Sequence, residues 1–286
     1  MKRLYILLAF LMMFAGATDV NAQRRKYNKN HSKHRTTRVS KKRGRKAKKK
    51  VSTYKPTIHD FAGKLSDPRF LNDPNYNPYL QCEDTCDHVH GIDLSHYQGE
   101  VFWEIVGENT KMTYVYLKAT EGGDNIDSRY ERNIELAHRY GLKVGSYHFF
   151  RPRTELTKQL ENFKTQCRPG EQDLIPMIDI EATGNLPTEE FCDSLLKFLV
   201  MVEKAYHQKP LLYTFRNFYN KHLLGKIDDY QLMIAMYTDE EPVLADERDI
   251  TMWQYTGKGN IVGVRGFVDK SRFMGHHGLR EIRYRH

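Results

Sequence analysis

From His88 onward the chain alternates short apolar runs with amphipathic stretches, and this alternation limits the fold more than any other feature. Residues 89–94, 113–118, 142–149, 175–181, 210–214, 232–236, 250–254 and 262–268 read as strands, rich in β-branched and aromatic side chains. Residues 129–140 have helical spacing and stop at Gly141. Residues 155–167 read as a second helix. Thr188–Tyr206 is a long amphipathic third, with Thr188 as N-cap and Glu189 and Glu190 in its first turn. Strands separated by helices pair in parallel, and eight of them can close on themselves. Beyond the fifth strand the helices look short or missing. The expected fold class is α/β, an irregular (β/α)8-like barrel of the TIM type.

Ahead of this part the composition changes three times. Residues 1–22 read as an export leader: Lys2-Arg3, an apolar run over 4–17, then Val20-Asn21-Ala22 as a small-residue cleavage site. The run is short for a membrane span, so the mature chain is expected to be periplasmic or secreted, without a span. Residues 23–55 contain 16 Lys and Arg and no acid. Such a stretch cannot bury enough apolar surface to offset its ordering entropy, so a disordered basic linker is expected. Its charge suits anionic polymers of the wall or envelope. Only Tyr27 and Tyr54 interleave the basic residues, so no specific nucleic-acid partner is expected. Residues 56–87, with Asp-Pro and Asn-Pro steps, read as an irregular lead-in to a domain over 88–286.

The formal net charge of +9 conceals this segregation. Residues 1–55 hold 18 of the 45 bases and one of the 36 acids, which leaves 27 bases and 35 acids, a net of −8, for residues 56–286. The domain is acidic. Its four cysteines, Cys82, Cys86, Cys167 and Cys192, allow three pairings, and the sequence does not choose among them. Cys82 and Cys86 could form half of a zinc site, but no second close pair follows and His88 and His90 are poorly spaced for one. No metal, no cofactor and a monomeric state are expected.

The polar residues follow one rule. Asp93, Glu121, Asp179, Glu181 and Asp269 fall at or just past the C-terminal ends of predicted strands, as do His148, Tyr213, Tyr237, Trp253 and Gln254. In such barrels that end carries the active site. Asp179 and Glu181 close an apolar run, Leu174-Ile175-Pro176-Met177-Ile178-Asp179-Ile180-Glu181, and share one side of its strand. Two desolvated carboxylates side by side push their pKa values apart, as acid/base chemistry requires. A strand that merely ended in two solvated acids would look the same in isolation. The clustering of the other acids at the same end favours a catalytic pair.

The motifs resemble the glycoside hydrolase family 25 lysozymes. Gly91-Ile92-Asp93-Leu94-Ser95-His96-Tyr97-Gln98-Gly99 with Trp103 is similar to their opening motif, and Tyr116-Leu117-Lys118-Ala119-Thr120-Glu121-Gly122 to their second. Gly141-Leu142-Lys143-Val144-Gly145-Ser146-Tyr147-His148-Phe149-Phe150 resembles the third, and Pro176 to Glu181 the catalytic strand. Leu212-Tyr213-Thr214, Trp253-Gln254-Tyr255-Thr256 and Gly263-Val264-Arg265-Gly266-Phe267-Val268-Asp269 resemble the later ones. Asn125 and Lys270-Ser271 depart from the pattern.

The resemblance implies a flattened barrel and a muramidase that cuts the β-1,4 bond between N-acetylmuramic acid and N-acetylglucosamine in peptidoglycan. Glu181 would be the general acid/base, expected to be the more buried of the pair and to hold the raised pKa. Asp179, held ionised by hydrogen bonds, would be the nucleophile or would orient the substrate's acetamido group. Asp93 and Asp269 would complete the acidic cluster. Tyr97, Glu121, Tyr147, His148, Phe149, Tyr213, Tyr237, Trp253 and Gln254 would bind substrate. For Tyr147, Phe149 and His148 a place in the core is an equal alternative, and Glu121 could simply pair with Lys118. The rival function is a non-catalytic glycan-binding protein on the same barrel.

Overall fold

A closed barrel must bury its strands on both faces, and these strands carry the residues to do so. In a computed structural model that describes residues 88–286, β1 (His90–Leu94) and β7 (Leu232–Ala235) are buried throughout. In β2 (Met112–Glu121) only Thr113 and Glu121 escape full burial. The remaining strands are β3 (Asn125–Ile126), β4 (Lys143–Phe149), β5 (Met177–Asp179), β6 (Leu211–Phe215), β8 (Met252–Gly259) and β9 (Val268–Phe273). The leader, the basic linker, the lead-in, Cys82 and Cys86 lie outside the described residues.

The sheet order is β1-β9-β8-β7-β6-β5-β4-β2, and β1 pairs with β2 to close an eight-stranded barrel. The short β3 hangs on the edge of β2 as an antiparallel extension. Six neighbouring pairs are parallel, from β1–β2 round to β7–β8. The exception is β9, antiparallel to both β1 and β8. The eighth strand therefore departs from expectation in place and direction. Over 262–268 the chain turns instead, with Gly263 and Gly266 at φ of 99° and 72°.

The outer layer covers half of the barrel. After α1 (Trp103–Val106), α2 (Tyr130–Arg139) buries Tyr130, Asn133, Ile134 and Ala137, a spacing of three and four that makes one face. Next comes α3 (Leu156–Gln166). In α4 (Thr188–Tyr206), Phe191, Leu195, Phe198, Leu199, Val202 and Tyr206 form the buried stripe. Thr188 does not cap α4; Pro187 holds that position, and the Thr188 hydroxyl meets His222 Nδ1 at 2.8 Å. After β6 only a short turn (Arg216–Phe218) and a π turn (Tyr219–Leu223) follow, so the second half is thinly covered, as expected. Cys167 and Cys192 are buried free thiols.

The floor of the barrel is aromatic. Tyr114 and Tyr116 point inward from β2 opposite Gly91 and Gly145, their partners in register. A Cβ on Gly91 would lie 2.1 Å from the Tyr114 ring, and one on Gly145 2.3 Å from that of Tyr116. Glycine is needed there for space. The buried hydroxyls are satisfied: Tyr114 Oη lies 3.0 Å from Ser271 Oγ, and Tyr116 Oη donates to the Ile175 carbonyl at 3.1 Å. Everything above this floor is free to be polar.

Candidate active site

Above the floor the inward positions become acidic. Asp179 ends β5, and the chain stays extended for two more residues, pinned by Ile180 N–H to the Tyr213 carbonyl at 2.9 Å and Thr214 Oγ1 to the Ile180 carbonyl at 2.6 Å. Asp179 and Glu181 thus face the same way, with their carboxyls within hydrogen-bonding reach. Burial first raises the pKa of both carboxyls.

The division between the two differs from expectation. Asp179 is 6% exposed and its Oδ1 has no hydrogen-bond partner among the described residues. Burial first, then the charge of Glu181, holds its pKa well above the carboxylate range, with Lys118 opposing. The direction at Asp179 is therefore upward, where a carboxylate held ionised by hydrogen bonds was expected. Glu181 is the exposed member. Desolvation and Asp269 raise its pKa, while the Asp179 hydrogen bond, Lys118 and Arg151 lower it.

Asp93 and Asp269 stand opposite each other across the β1–β9 ladder. Asp93 is 7% exposed, and Gln254 Nε2 donates to its Oδ2 at 2.9 Å. Burial is the main cause that pushes its pKa up to about 8, eased by the Gln254 bond and increased by Asp269. Gly257 leaves room beside Asp269: a Cβ there would come within 2.9 Å of its carboxyl and 3.2 Å of the Tyr237 ring.

One wall is cationic. Lys118 Nζ meets Glu121 Oε2 at 2.6 Å, and Arg151 Nε meets Glu121 Oε1 at 2.9 Å. Burial works to raise the Glu121 pKa, but the hydrogen bonds and charges of Lys118 and Arg151 outweigh it and hold it below the ordinary value. With both oxygens committed, Glu121 builds the wall and is not a free substrate ligand. Phe149 lies between the same cations, 5.3 Å from Lys118 Nζ and 4.5 Å from the Arg151 guanidinium. The Lys118–Glu121 pair is the alternative the sequence offered; Arg151 is the residue that reasoning from acids passed over, and its signal was position just past the end of β4.

The expected aromatic set divides. Tyr147 is half-buried and faces the acids; burial and then the charges of Asp179, Asp93 and Asp269 raise its pKa well above the usual phenol value. Tyr213 and Tyr237 reach Gln254, and Tyr97 stands 80% exposed at the rim. His148 and Trp253 are not in the groove. His148 is fully buried under the helices, with Thr120 Oγ1 at 2.8 Å, Gln159 Oε1 at 3.2 Å, and the Phe163 and Phe198 rings 5.3 and 5.4 Å away. Trp253 is 4% exposed; its indole N–H donates to the Met236 carbonyl at 2.8 Å and Arg272 covers its ring. Alternation explains both corrections: Tyr147 and Gln254 point inward, so their neighbours point outward. The departures from the family pattern also have places, since Lys270 is buried and Ser271 supports Tyr114.

Among the described residues, one group has donors spaced for a metal: Asp249, His276 and His277, with ligand atoms within 4.8 Å of one another. Asp249 precedes β8 and the histidines follow β9, so the group lies at the end of the barrel opposite the acids.

Adjacent carboxyls at the C-terminal end of a (β/α) barrel strand, with further acids opposite, are the arrangement that barrel glycoside hydrolases use. Residues 92–264, more than half of the chain, match the model of the glycosyl hydrolases family 25. The chain belongs to that family. The chain is 30% identical over 191 residues to the uncharacterized protein YegX of Escherichia coli K12, which covers 65% of this chain and 70% of that one. It is 30% identical over 184 residues to the autolytic lysozyme of Clostridium acetobutylicum, covering 64% of this chain and 55% of that protein. The crystal structure of the lysozyme from Streptomyces coelicolor superposes with a TM-score of 0.62 at 28% identity, covering 69% of this chain and 96% of that one.

Proposed function

We propose that the protein is a muramidase that cuts the β-1,4 bond between N-acetylmuramic acid and N-acetylglucosamine in peptidoglycan, with Glu181 as general acid/base and Asp179 as its partner. One observation carries this reading: Asp179 and Glu181 lie side by side at the end of β5, Asp179 buried and Glu181 exposed, with both carboxyls pushed up in pKa chiefly by burial. A sugar in the groove covers Glu181, and a short shift along the shared hydrogen bond gives Glu181 the proton. Glu181 then protonates the glycosidic oxygen as the bond from that oxygen to the anomeric carbon breaks. Asp179, now ionised beside Lys118, accepts the acetamido N–H and directs that group's carbonyl oxygen onto the anomeric carbon. Water deprotonated by Glu181 opens the ring so formed, with net retention.

The spacing supports retention. Inversion needs carboxyls about 6.5–9.5 Å apart to admit a water, and a protein nucleophile sits about 5–5.5 Å from its acid. Carboxyls within hydrogen-bonding reach suit neither, which favours a nucleophile supplied by the substrate. The comparisons support the substrate, since the Clostridium and Streptomyces proteins are lysozymes. Among the described residues no helix is long and apolar enough to cross a membrane. Residues 1–22 would export a monomeric enzyme, and residues 23–55 would contact anionic polymers of the wall or envelope.

The test is mass spectrometry of a peptidoglycan digest. Products with a muramic-acid reducing end support the reading. A glucosamine reducing end, or intact glycan, contradicts it.

A further inference from the structure

Arg151 is held by more contacts than its pairing with Glu121 needs. The buried Gln159 clamps its backbone: Oε1 accepts the Arg151 N–H at 2.9 Å, and Nε2 donates to the Arg151 carbonyl at 3.0 Å. The side-chain stem crosses Gly122, where a Cβ would lie 3.3 Å from Arg151 Cγ. The guanidinium sits 4.5 Å from the centre of the Phe149 ring and donates to Glu121 Oε1 through Nε and Nη2. Among the described residues these bonds leave the other amino group, Nη1, uncommitted. The side chain is nevertheless 48% exposed, against 10% for Lys118 on the other Glu121 oxygen. A half-exposed arginine ordinarily keeps its rotamer freedom. One held this firmly is preorganised, so a ligand meets it without that entropy cost.

Its place matters as much as its rigidity. Asp179 stands opposite Phe149 on β4 and opposite Tyr213 on β6. Glu121 of β2 stands opposite Phe149 in turn. Neighbouring strands lie about 4.8 Å apart, so Arg151, over Phe149, is about one strand from Asp179. Its charge reaches Glu181. Two cations on one carboxylate leave this wall with a net positive charge. The β6 side offers a neutral phenol already bonded to Gln254, and the β1–β9 side offers the acids Asp93 and Asp269.

In the reaction above, Glu181 serves the glycosidic oxygen and Asp179 the acetamido group on C2 of the sugar. The next ring carbon, C3, bears the lactyl ether, the group that N-acetylglucosamine lacks. The carboxyl end of that group is a hydrogen-bond acceptor when linked to a stem peptide, and an anion when free. A sugar with C2 at Asp179 projects it toward a strand beside β5. The pinned cation of the β4 side complements it, and the engaged phenol of the β6 side does not.

We propose that Arg151 reads the lactyl group of the N-acetylmuramic acid whose anomeric bond is cut, donating from Nη1 to a carboxyl oxygen of that group. Glu121, Phe149 and Gln159 are positioning residues for it. The inference rests on the muramidase reading and deepens it: the acid pair supplies the chemistry, and Arg151 chooses the sugar.

The test separates binding from turnover. In a Glu181→Gln background, calorimetry compares two tetrasaccharides. One is built from two N-acetylglucosamine–N-acetylmuramic acid units with free lactyl carboxylates, and the other is chitotetraose, which has no lactyl group. Adding R151Q is expected to weaken the first about 10–100-fold, the range for one charge-assisted hydrogen bond, and to leave the second within about twofold. R151K keeps the charge without the planar fork, so it should fall between R151Q and the parent. The parent's preference for the first ligand should shrink from low to high salt, because a half-exposed cation is screened. Equal weakening of both ligands, or of neither, in an R151Q protein with the parental thermal midpoint would overturn the proposal. So would a preference indifferent to salt. Cleavage by the single variant R151Q adds a further check. Its KM should rise on intact peptidoglycan and rise further on glycan strands stripped of stem peptides, where the lactyl carboxylate is free. A rise confined to intact peptidoglycan would assign Arg151 to the stem peptide and overturn the lactyl role. If the unsubstituted protein leaves peptidoglycan uncut, the muramidase reading fails, and the binding comparison still decides what Arg151 recognises.

Discussion

Tyr147 and His148 are neighbours on one strand with opposite environments. Tyr147 points into the barrel, toward Asp179, Asp93 and Asp269. His148 points out, under α3 and α4, where both ring nitrogens have partners and the surroundings are aromatic. Gln254 and Trp253 repeat the contrast on β8. The inner face holds polar groups that are buried and incompletely satisfied, as Asp93 and Asp179 are. On the outer face His148 and Trp253 are buried with their ring nitrogens engaged. Such a barrel gives up stability inside to gain chemistry and recovers it outside.

The largest effect should come from the inner face. Asp179→Asn is expected to lower kcat by about 10³-fold while leaving the thermal midpoint equal or higher, because the buried carboxyl, one oxygen of which has no partner, is replaced by an amide that needs no proton to stay neutral beside Glu181. Steady-state kinetics and calorimetry on one preparation check both halves. A variant that lost activity and stability together would erase the distinction between the faces. On the outer face the pattern should invert. His148→Leu leaves Thr120 without its partner and is expected to cost about 2–3 kcal/mol in a urea titration, with kcat within about twofold of wild type. Trp253→Phe should cost about 1–2 kcal/mol through the lost indole bond and leave KM unchanged. A tenfold rise in KM would place Trp253 at the substrate after all.

The two faces should also oppose each other in pH. Asp93 is raised to about 8, so the folded protein holds its proton more tightly than the unfolded chain, and stability declines as pH rises from the ordinary carboxylate range through about 8. His148 is lowered from 6.5 to about 4 by burial, so stability declines as pH falls from 6.5 through about 4. Thermal midpoints against pH should lose the alkaline decline in Asp93→Asn and the acid decline in His148→Leu.

The contrast also explains what could be read from the sequence. The strand positions of β1, β2, β4, β5, β6 and β7 were legible, because a barrel wall buried on both faces must be an apolar run. Asp93, Glu121, Asp179 and Glu181 were legible because they close those runs, whereas Asp269 opens β9 instead. The last strand was not. In β9, Asp269 and Ser271 face inward and Lys270 is buried outside, so the run Val-Asp-Lys-Ser-Arg-Phe carries no apolar pattern, while the more apolar stretch before it is bent by two glycines. The facing of His148 and Trp253 was legible and was passed over. Tyr147, His148 and Phe149 cannot all line one groove on one strand, nor can Trp253 and Gln254. The proton's place on Asp179 was not legible, since it depends on which carboxyl the finished wall hides from water.

The most direct test of the inner-face chemistry is the rate at which Glu181→Gln cleaves purified peptidoglycan, measured beside wild type with thermal midpoints for both. The account predicts a loss of at least about 10³-fold with an unchanged midpoint, because glutamine keeps the shape of the groove and cannot pass a proton to the glycosidic oxygen. A variant that cleaves within about tenfold of the wild-type rate would contradict it.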